Sequence, residues 1–417
     1  MNDERGHKQG RKWTSGMTAS SSALVRSAAV AMSVDTVGVL PIFLTGALAV
    51  QLRDDIGLSV DLLGLVYASY FTAAALFSAP LSRVSDRTGP EWALRIGTGI
   101  YIASFLGLAT LATSPFILSA LIALAGLGTA LTRTASSVLV ARNVSPERHG
   151  LAFGLKHSSI PIGTLLAGLS VPAIALTVGW QWAYAAAAGL SVVVLLAIPK
   201  PSGRVDPRAE AGRADMSLRL LIFSAVGFGL GSSAAASLGA YTVSTTVASG
   251  MSEGAAGLLV AVGSVVGLAS RILVGGWSDR RRGSQLDLVN WMLIAGGVGY
   301  LMLGVANEWV MLIAVPVAFA TGWAWLGSYN LAMVRLNPVA PGAAVGVTQT
   351  GAFVGAIIGP AGLGFLAEQY SFTVVWVAAA IVSFMSATII FILRRFMLKE
   401  QGHRELQDIE SRDARLT

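Results

Sequence analysis

The segment "SRVSDRTG" (Ser82–Gly89) directly follows a long apolar run, and a later apolar run is followed by the similar segment "GGWSDRRRG" (Gly275–Gly283). The Ser-Asp-Arg triplet in both segments places Asp86 and Asp279 193 residues apart. A polar motif that returns at a fixed separation indicates a repeated structural unit. We therefore expect the chain to contain two copies of one plan.

Further matches recur at nearly the same separation. The segments "VLVARNVSP" and "LAMVRLNP" place Arg142 and Arg335 193 residues apart. With one residue of slippage, "GLKHSSIPIG" (Gly154–Gly163) aligns with "GVTQTGAFVG" (Gly346–Gly355). A polar linker that contains prolines and glycines, Pro199–Ser217, separates the copies. The repeat thus divides the chain into two halves.

The composition indicates that the repeated unit lies in a membrane. Of the 417 residues, 54% are hydrophobic and only 12% are charged, whereas soluble domains carry about 25% charged residues. The chain has no cysteine, which excludes disulfides and thiolate chemistry. The scattered histidines do not form a metal site, and no phosphate-binding loop is present, which argues against ATP-driven transport by this chain. We expect no cofactor, no metal and no nucleic-acid partner.

A bilayer core of about 30 Å requires roughly 20 apolar residues per helix. Twelve segments meet this requirement, and they predict an all-α membrane protein with two pseudo-symmetric six-helix bundles. The predicted spans are 24–50, 61–82, 92–112, 115–140, 150–178, 180–198, 218–247, 254–275, 287–306, 309–334, 342–368 and 372–395. The predicted units are an N-terminal tail (1–23), a first bundle (24–198), a linker (199–217), a second bundle (218–395) and a C-terminal tail (396–417).

The positions of the 29 lysines and arginines predict the orientation. Apart from Arg53 and from Arg133, Lys156 and Arg271 deeper inside spans, they lie in the two termini, in every second loop or within a few residues of the span ends that adjoin these. Positive residues stay on the cytoplasmic side during insertion. We expect both termini to be cytoplasmic, in a multi-pass protein of the inner or plasma membrane that functions as a monomer.

With these motifs the chain resembles the major facilitator superfamily of secondary transporters over essentially its whole length. The resemblance rests on Asp86, Arg87 and Gly89 after span 2, and on their copy after span 8, Asp279 and Arg280. It implies a transporter that works by alternating access and is not an enzyme. It also implies that spans 1, 4, 7 and 10 line a central cavity, with spans 5 and 11 beside them.

The repeated Asp-Arg turns predict a gate at the cytoplasmic face. A carboxylate at a helix end can cap backbone N–H groups and pair with a nearby arginine. Asp86 with Arg142 and Asp279 with Arg335 are equivalent candidate pairs, and contacts present in only one conformation would bias the equilibrium between two conformations. The gating set is Asp86, Arg87, Arg142, Asp279, Arg280 and Arg335. The alternative is that these charges only hold the topology.

Three ionisable residues inside spans predict a substrate or coupling site. Intramembrane charges tend to face the protein interior and to mark a pathway. Asp35 lies near the middle of span 1. Arg133 lies on a helix face of span 4 that is made of small and polar residues, here called the polar stripe: Gly126, Thr129, Ala130, Arg133, Ser136 and Ser137. Lys156 lies about 9–10 Å along span 5 at 1.5 Å per residue, so it is either a site residue or a lysine that extends to the interface.

Polar and aromatic residues on the expected cavity helices complete the prediction. His157 is either a site residue or a helix-packing histidine, and the tryptophan is either a site residue or a core aromatic. The candidate substrate-binding or coupling residues are Asp35, Arg133, Lys156, His157, Ser233, Tyr241, Trp325, Tyr329, Asn330 and Gln349.

The predicted function is proton-coupled uptake of a small organic anion. Arg133 and Lys156 would bind its carboxylate, and Asp35 would carry the proton; the proton gradient would supply the energy. The first alternative is proton-driven efflux of amphipathic compounds, with Trp325 and Tyr329 as the site. A more remote alternative is a transport-inactive membrane receptor.

Overall fold

The structure is a computed structural model that describes residues 4–144, 149–200, 216–280, 285–337 and 341–413. Throughout these ranges every regular element is a helix, and twelve helical spans are long and apolar enough to cross a membrane. The prediction of an all-α protein with twelve membrane spans is confirmed. We number the spans 1 to 12 in chain order.

Six spans form the first half of the molecule. Spans 1, 2, 3, 4 and 6 lie in the helices Glu4–Ala47, Val60–Thr88, Pro90–Leu111, Pro115–Asn143 and Trp180–Ala197. Span 5 combines the helices His149–His157 and Ser159–Ser170 with the π-helix Val171–Ala175 and the short helix Leu176–Val178. A further short helix, Ala49–Ile56, connects spans 1 and 2.

The second half also has six spans. Spans 7, 8, 9, 11 and 12 lie in the helices Leu218–Ala248, Glu253–Arg280, Gln285–Leu303, Pro341–Gln369 and Phe372–Asp413. Span 10 combines the helices Glu308–Val317 and Trp325–Leu336 with the π-helix Ala318–Trp323 between them.

Local sequence explains where several of these helices begin. The Ser114 hydroxyl accepts a hydrogen bond from the Ile117 N–H, and Pro115 occupies the first helical position, where its missing N–H costs nothing. Gly179 turns the chain between spans 5 and 6 with a φ of 104°, a conformation that glycine adopts without the steric cost of a Cβ atom.

The sequence did not predict the π-helical turns within spans 5 and 10. Pro172 lies inside the first of these turns, and Pro316 lies just before the second. Proline has no N–H to donate, and its ring pushes against the preceding turn. A wider π turn absorbs that disturbance without breaking the span.

The two halves contact each other through spans 1 and 7, 2 and 11, and 5 and 8. Because the number of spans is even, both chain ends lie at one face of the molecule, the termini face. At the other face, here called the opposite face, a Cβ atom on Gly46 would overlap the main-chain oxygen of Gly239. A Cβ on Gly168 would lie 2.6 Å from the Gly257 oxygen. Close backbone approach at small residues is typical of packed membrane helices.

Polar contacts also join the halves at the opposite face. The Gln51 amide donates to the Glu253 carboxylate over 3.1 Å, and the main-chain N–H of Val60 donates to the Glu368 carboxylate over 3.3 Å. Together with the glycine contacts, these hydrogen bonds hold the opposite face closed in this conformation.

Candidate functional site

A cavity of about 120 Å³ lies between the two halves. Spans 1, 4, 7 and 10 contribute to its wall, and so do spans 5 and 11, as the resemblance implied. Spans 2 and 8 also contribute. The lining residues are Val39, Ile42, Phe43, Tyr67, Phe71, Arg133, His157, Ile160, Phe228, Ser232, Ala235, Ala236, Arg271, Trp323, Leu326, Gly327, Asn330, Gln349, Ala352, Phe353 and Ala356.

Two arginines, one from each half, give the cavity its charge. Arg133 is 18 residues from the start of its helix at Pro115, and Arg271 is 18 residues from the start of its helix at Glu253. Both helices start at the opposite face, so both arginines lie about 27 Å along them at 1.5 Å per residue. The two guanidinium-bearing residues therefore occupy similar depths.

The contacts of the two arginines differ. The Arg133 guanidinium lies over the Phe353 ring, 5.1 Å from its centroid, which is a cation–π geometry. The Arg271 guanidinium donates to two main-chain oxygens, those of His157 at 2.9 Å and Trp323 at 3.1 Å. Among the described residues that line the cavity there is no aspartate or glutamate. Neither cation thus has a carboxylate in the cavity wall.

An ion pair lies beside Arg133, within the first half. The Lys156 ammonium is 3.5 Å from the Asp35 carboxylate, and the two side chains are 4% and 15% exposed, respectively. Ser136 donates to Asp35 over 3.0 Å, and Lys156 donates to Ser137 over 2.6 Å. The polar stripe of span 4 thus supports both members of the pair.

Lys156 contacts span 4 at a second point. Its ammonium also donates to the main-chain oxygen of Arg133 over 3.4 Å. The side chain therefore points toward span 1 and span 4 and is almost fully buried, which differs from a lysine extended to the membrane interface. The charge of Lys156 is offset by Asp35, whereas Arg133 faces the cavity.

Three polar atoms of the cavity wall are buried without a hydrogen-bond partner among the described residues. They are the Tyr67 hydroxyl, the Ser232 hydroxyl and the Asn330 side-chain oxygen. Buried polar groups in native proteins are usually hydrogen-bonded, and exceptions require an explanation such as water or a ligand. These atoms are available to a polar molecule in the cavity.

The rest of the wall is apolar and rich in aromatic rings. Phe43 of span 1 and Trp323 of span 10 meet edge to face across the two halves, with ring centroids 5.4 Å apart. Phe71, Phe228 and Phe353 add further rings. The cavity therefore combines two cations with an apolar, aromatic surface.

Of the ten predicted site residues, Arg133, His157, Asn330 and Gln349 line the cavity, and Asp35 and Lys156 form the adjacent ion pair. The structure places the other four elsewhere. Ser233 and Tyr241 lie at the contact between spans 7 and 11, where Tyr241 donates to the Pro360 oxygen. Helical spacing predicts that Ser233 and Tyr241 share one face of span 7. It does not predict that this face packs against span 11 instead of lining the cavity.

Trp325 and Tyr329 lie in the core of the second half. Both are fully buried, and the Phe228 ring stacks on Tyr329 and meets Trp325 edge to face. Their polar atoms bond within the half: Trp325 to the Gly322 oxygen, and Tyr329 to the Ser224 oxygen, each over 2.9 Å. Aromatic rings with satisfied polar atoms in a tight core are packing residues rather than cavity residues.

The site prediction missed several lining residues, among them Arg271, Tyr67 and Ser232. The sequence did indicate Arg271, since it lies well inside predicted span 8, four residues from the nearer predicted end of that span. No feature of the sequence placed Tyr67 in the cavity wall, because the resemblance places span 2 outside the cavity.

The predicted gate lies at the termini face. The side chains of Asp86, Arg87, Asp279 and Arg280 lie outside the residues whose side chains are described. Arg142 and Arg335 are exposed residues in the last turns of their helices. The pairing of these groups remains a prediction.

Twelve spans in two repeated halves around a central cavity are the architecture of a secondary transporter, with the solute site between the halves. The model of the Major Facilitator Superfamily matches residues 28–286 and, in a second match, residues 221–412. The chain belongs to this superfamily and is therefore a membrane transporter and not an enzyme.

Solved structures share this fold at low sequence identity. A mutant of the nucleoside transporter NupG is 15% identical with a TM-score of 0.67, covering 87% of this chain and 99% of its own. A bacterial homolog of the human lysosomal transporter Spinster, inward-facing and unoccupied, is 14% identical with a TM-score of 0.68, covering 90% and 98%. No protein of the curated set matches the chain.

Proposed function

We propose that this transporter takes up a small organic anion together with a proton, across the cell membrane and with both termini in the cytoplasm. The observation that carries the proposal is the pair of arginines in a cavity wall whose described residues include no carboxylate. A charged side chain inside a membrane span is costly, and such residues tend to mark a substrate or ion pathway. An anionic solute would supply the missing negative charge.

Arg133 is the proposed primary anion ligand. Its guanidinium carbon lies over the Phe353 ring, and no hydrogen bond from its N–H groups is described. Two of these N–H groups could therefore bind a carboxylate in a two-point geometry. The aromatic ring would also fix the orientation of the guanidinium.

Asp35 is the proposed proton carrier. In the described conformation its carboxylate offsets the charge of Lys156. Protonation of Asp35 would remove that negative charge and raise the positive charge next to Arg133 by one unit. Because a more positive site attracts an anion more strongly, proton binding and anion binding would favour each other, which is the requirement for symport.

Lys156 would take part once Asp35 is protonated. Its ammonium already contacts the main-chain oxygen of Arg133, so it lies near the proposed anion ligand. Released from Asp35, it would contribute a second positive charge to the first half of the site. Asp35 and Lys156 belong to the same half, so the pair can form and break without any movement between the halves.

Proton-driven efflux of amphipathic compounds is a second candidate function. The observation that favours it is the aromatic wall, with Phe43, Phe71 and Trp323 in place of the predicted Trp325 and Tyr329. A neutral or cationic amphipath could bind to such rings. The two arginines argue against it, because they would repel a cationic solute.

Uptake into proteoliposomes, measured for labelled carboxylic acids and dyes with and without a pH gradient, tests the proposal. We expect acids to accumulate only with the gradient, and Arg133→Gln to weaken binding by more than ten-fold. A desolvated charge-assisted contact is worth roughly 1.5–3 kcal/mol, and about 1.4 kcal/mol corresponds to a factor of ten. Arg133→Lys should restore only part of the affinity, because lysine lacks the planar fork.

Asp35→Asn separates coupling from binding. This variant should lose accumulation driven by the pH gradient, yet it should keep counterflow exchange of substrate, since exchange requires no net proton movement. If neutral Arg133 variants bind and carry acids at the wild-type level, the anion site is refuted and efflux becomes the better hypothesis.

A further inference from the structure

Arg271 is the second cation of the cavity, and its contacts differ from those of a residue in a structural ion pair. Both hydrogen bonds described for its guanidinium go to main-chain oxygens, of His157 and Trp323. A carbonyl oxygen satisfies an N–H group but carries no full charge. The formal charge of Arg271 thus remains without a described carboxylate partner, although the residue is mostly buried.

The first half balances its own charges differently. Asp35 and Lys156 offset each other, which leaves Arg133 as the excess cation of that half within the site. The second half contributes Arg271 to the same cavity, from span 8 and at a similar depth. The resting site therefore has two excess positive charges, one contributed by each half.

We propose that the cavity binds an organic dianion, with one anionic group on Arg133 and the other on Arg271. This inference rests on the proposed anion transport and specifies its substrate class. Two negative charges match the two excess positive charges, and a guanidinium has more N–H donors than the two that Arg271 uses. The aromatic rings of the cavity wall suit a planar or apolar spacer.

The same geometry gives Arg271 a role in selecting the substrate. A monoanion on Arg133 would leave Arg271 with only its two carbonyl contacts, and the second charge would remain uncompensated. A dianion would contact both halves at once. We therefore expect the site to discriminate between acids that differ only in the number of carboxylates.

Equilibrium binding to the purified protein in proteoliposomes tests this proposal with two matched acids. Terephthalate and benzoate share one aromatic ring and differ by one carboxylate; succinate and butyrate form an aliphatic pair. We expect the wild-type protein to bind each diacid at least ten-fold more tightly than its monoacid. Arg271→Gln should reduce the affinity for the diacid at least ten-fold and change the affinity for the monoacid by less than about three-fold.

Two further variants keep the test informative. Arg271→Lys retains the charge but loses the planar fork, so its diacid preference should be smaller than that of wild type; this comparison needs no folded glutamine variant. Arg53→Gln removes a positive charge from an exposed position outside the cavity and should leave both affinities unchanged. A purely structural role for Arg271 would alter binding of both acids alike and would not change their ratio.

The outcomes separate this inference from the proposed function. Equal wild-type affinity for the two acids of each pair would overturn the dianion site and leave anion binding at Arg133 in place. A diacid preference that survives in both Arg271 variants would also overturn it. Binding of neither acid would refute the anion-transport proposal itself, and the dianion site with it.

Discussion

Gly46→Ala should open the opposite face of the transporter. The added Cβ would overlap the main-chain oxygen of Gly239, across the interface between the halves. Backbone cannot move aside as the end of a flexible side chain can, so the clash penalises the conformation in which this face is closed. Overpacking of this kind costs about 1–3 kcal/mol, which corresponds to a population shift of about 5- to 150-fold.

Cysteine labelling can measure this shift without background, because the chain contains no cysteine. A single cysteine introduced by Ala236→Cys would lie in the cavity wall. We expect a membrane-impermeant maleimide added from the opposite face to label it about 5- to 150-fold faster when Gly46→Ala is also present. Gly99→Ala is the matched control, since its Cβ would meet nothing within 4 Å. An unchanged labelling rate in a folded Gly46→Ala protein would refute the proposed closure.

Three further predictions concern charges. Asp35→Asn or Lys156→Gln alone should lower the melting temperature more than the double variant does. Removing one partner of a buried pair leaves the charge of the other uncompensated. Single variants as stable as wild type would contradict the pairing. Asp86→Asn should slow turnover more than it weakens substrate binding, and wild-type transport rates at equal protein level would make this residue a topological marker. Reporters fused at Thr417 and within Pro199–Ser217 should both read as cytoplasmic, and an external signal from either would overturn the orientation.

The sequence predicted the spans and the repeat well, because both depend on local composition and on spacing along the chain. A span of roughly 20 apolar residues is recognisable wherever it packs. The π turns in spans 5 and 10 were not predictable in the same way. Proline in a helix indicates a missing main-chain hydrogen bond and a steric clash with the preceding turn. Whether the helix then kinks or forms a wider π turn depends on the neighbouring helices.

The lining of the cavity was predicted only in part, for a geometric reason. Arg133 was recognised because an intramembrane charge must face something polar. Trp325 and Tyr329 share a helix face that could line a cavity or pack in a core equally well. In the structure this face packs against Phe228 in the core of the second half, and sequence spacing does not specify that contact. Which face of each helix points to the gap is set by packing between distant segments.

The ion pair between Asp35 and Lys156 also bears on how the protein is made. Charged residues near a helix centre raise the cost of insertion by roughly 2.5–3.5 kcal/mol each. Asp35 leaves the ribosome first, and its partner follows within the same half, so the two charges can meet before the second half is synthesised. Arg271 hydrogen-bonds to the His157 oxygen, which by then is already in place. The order of synthesis thus lets the first half serve as the template on which span 8, with its buried charge at Arg271, is stabilised.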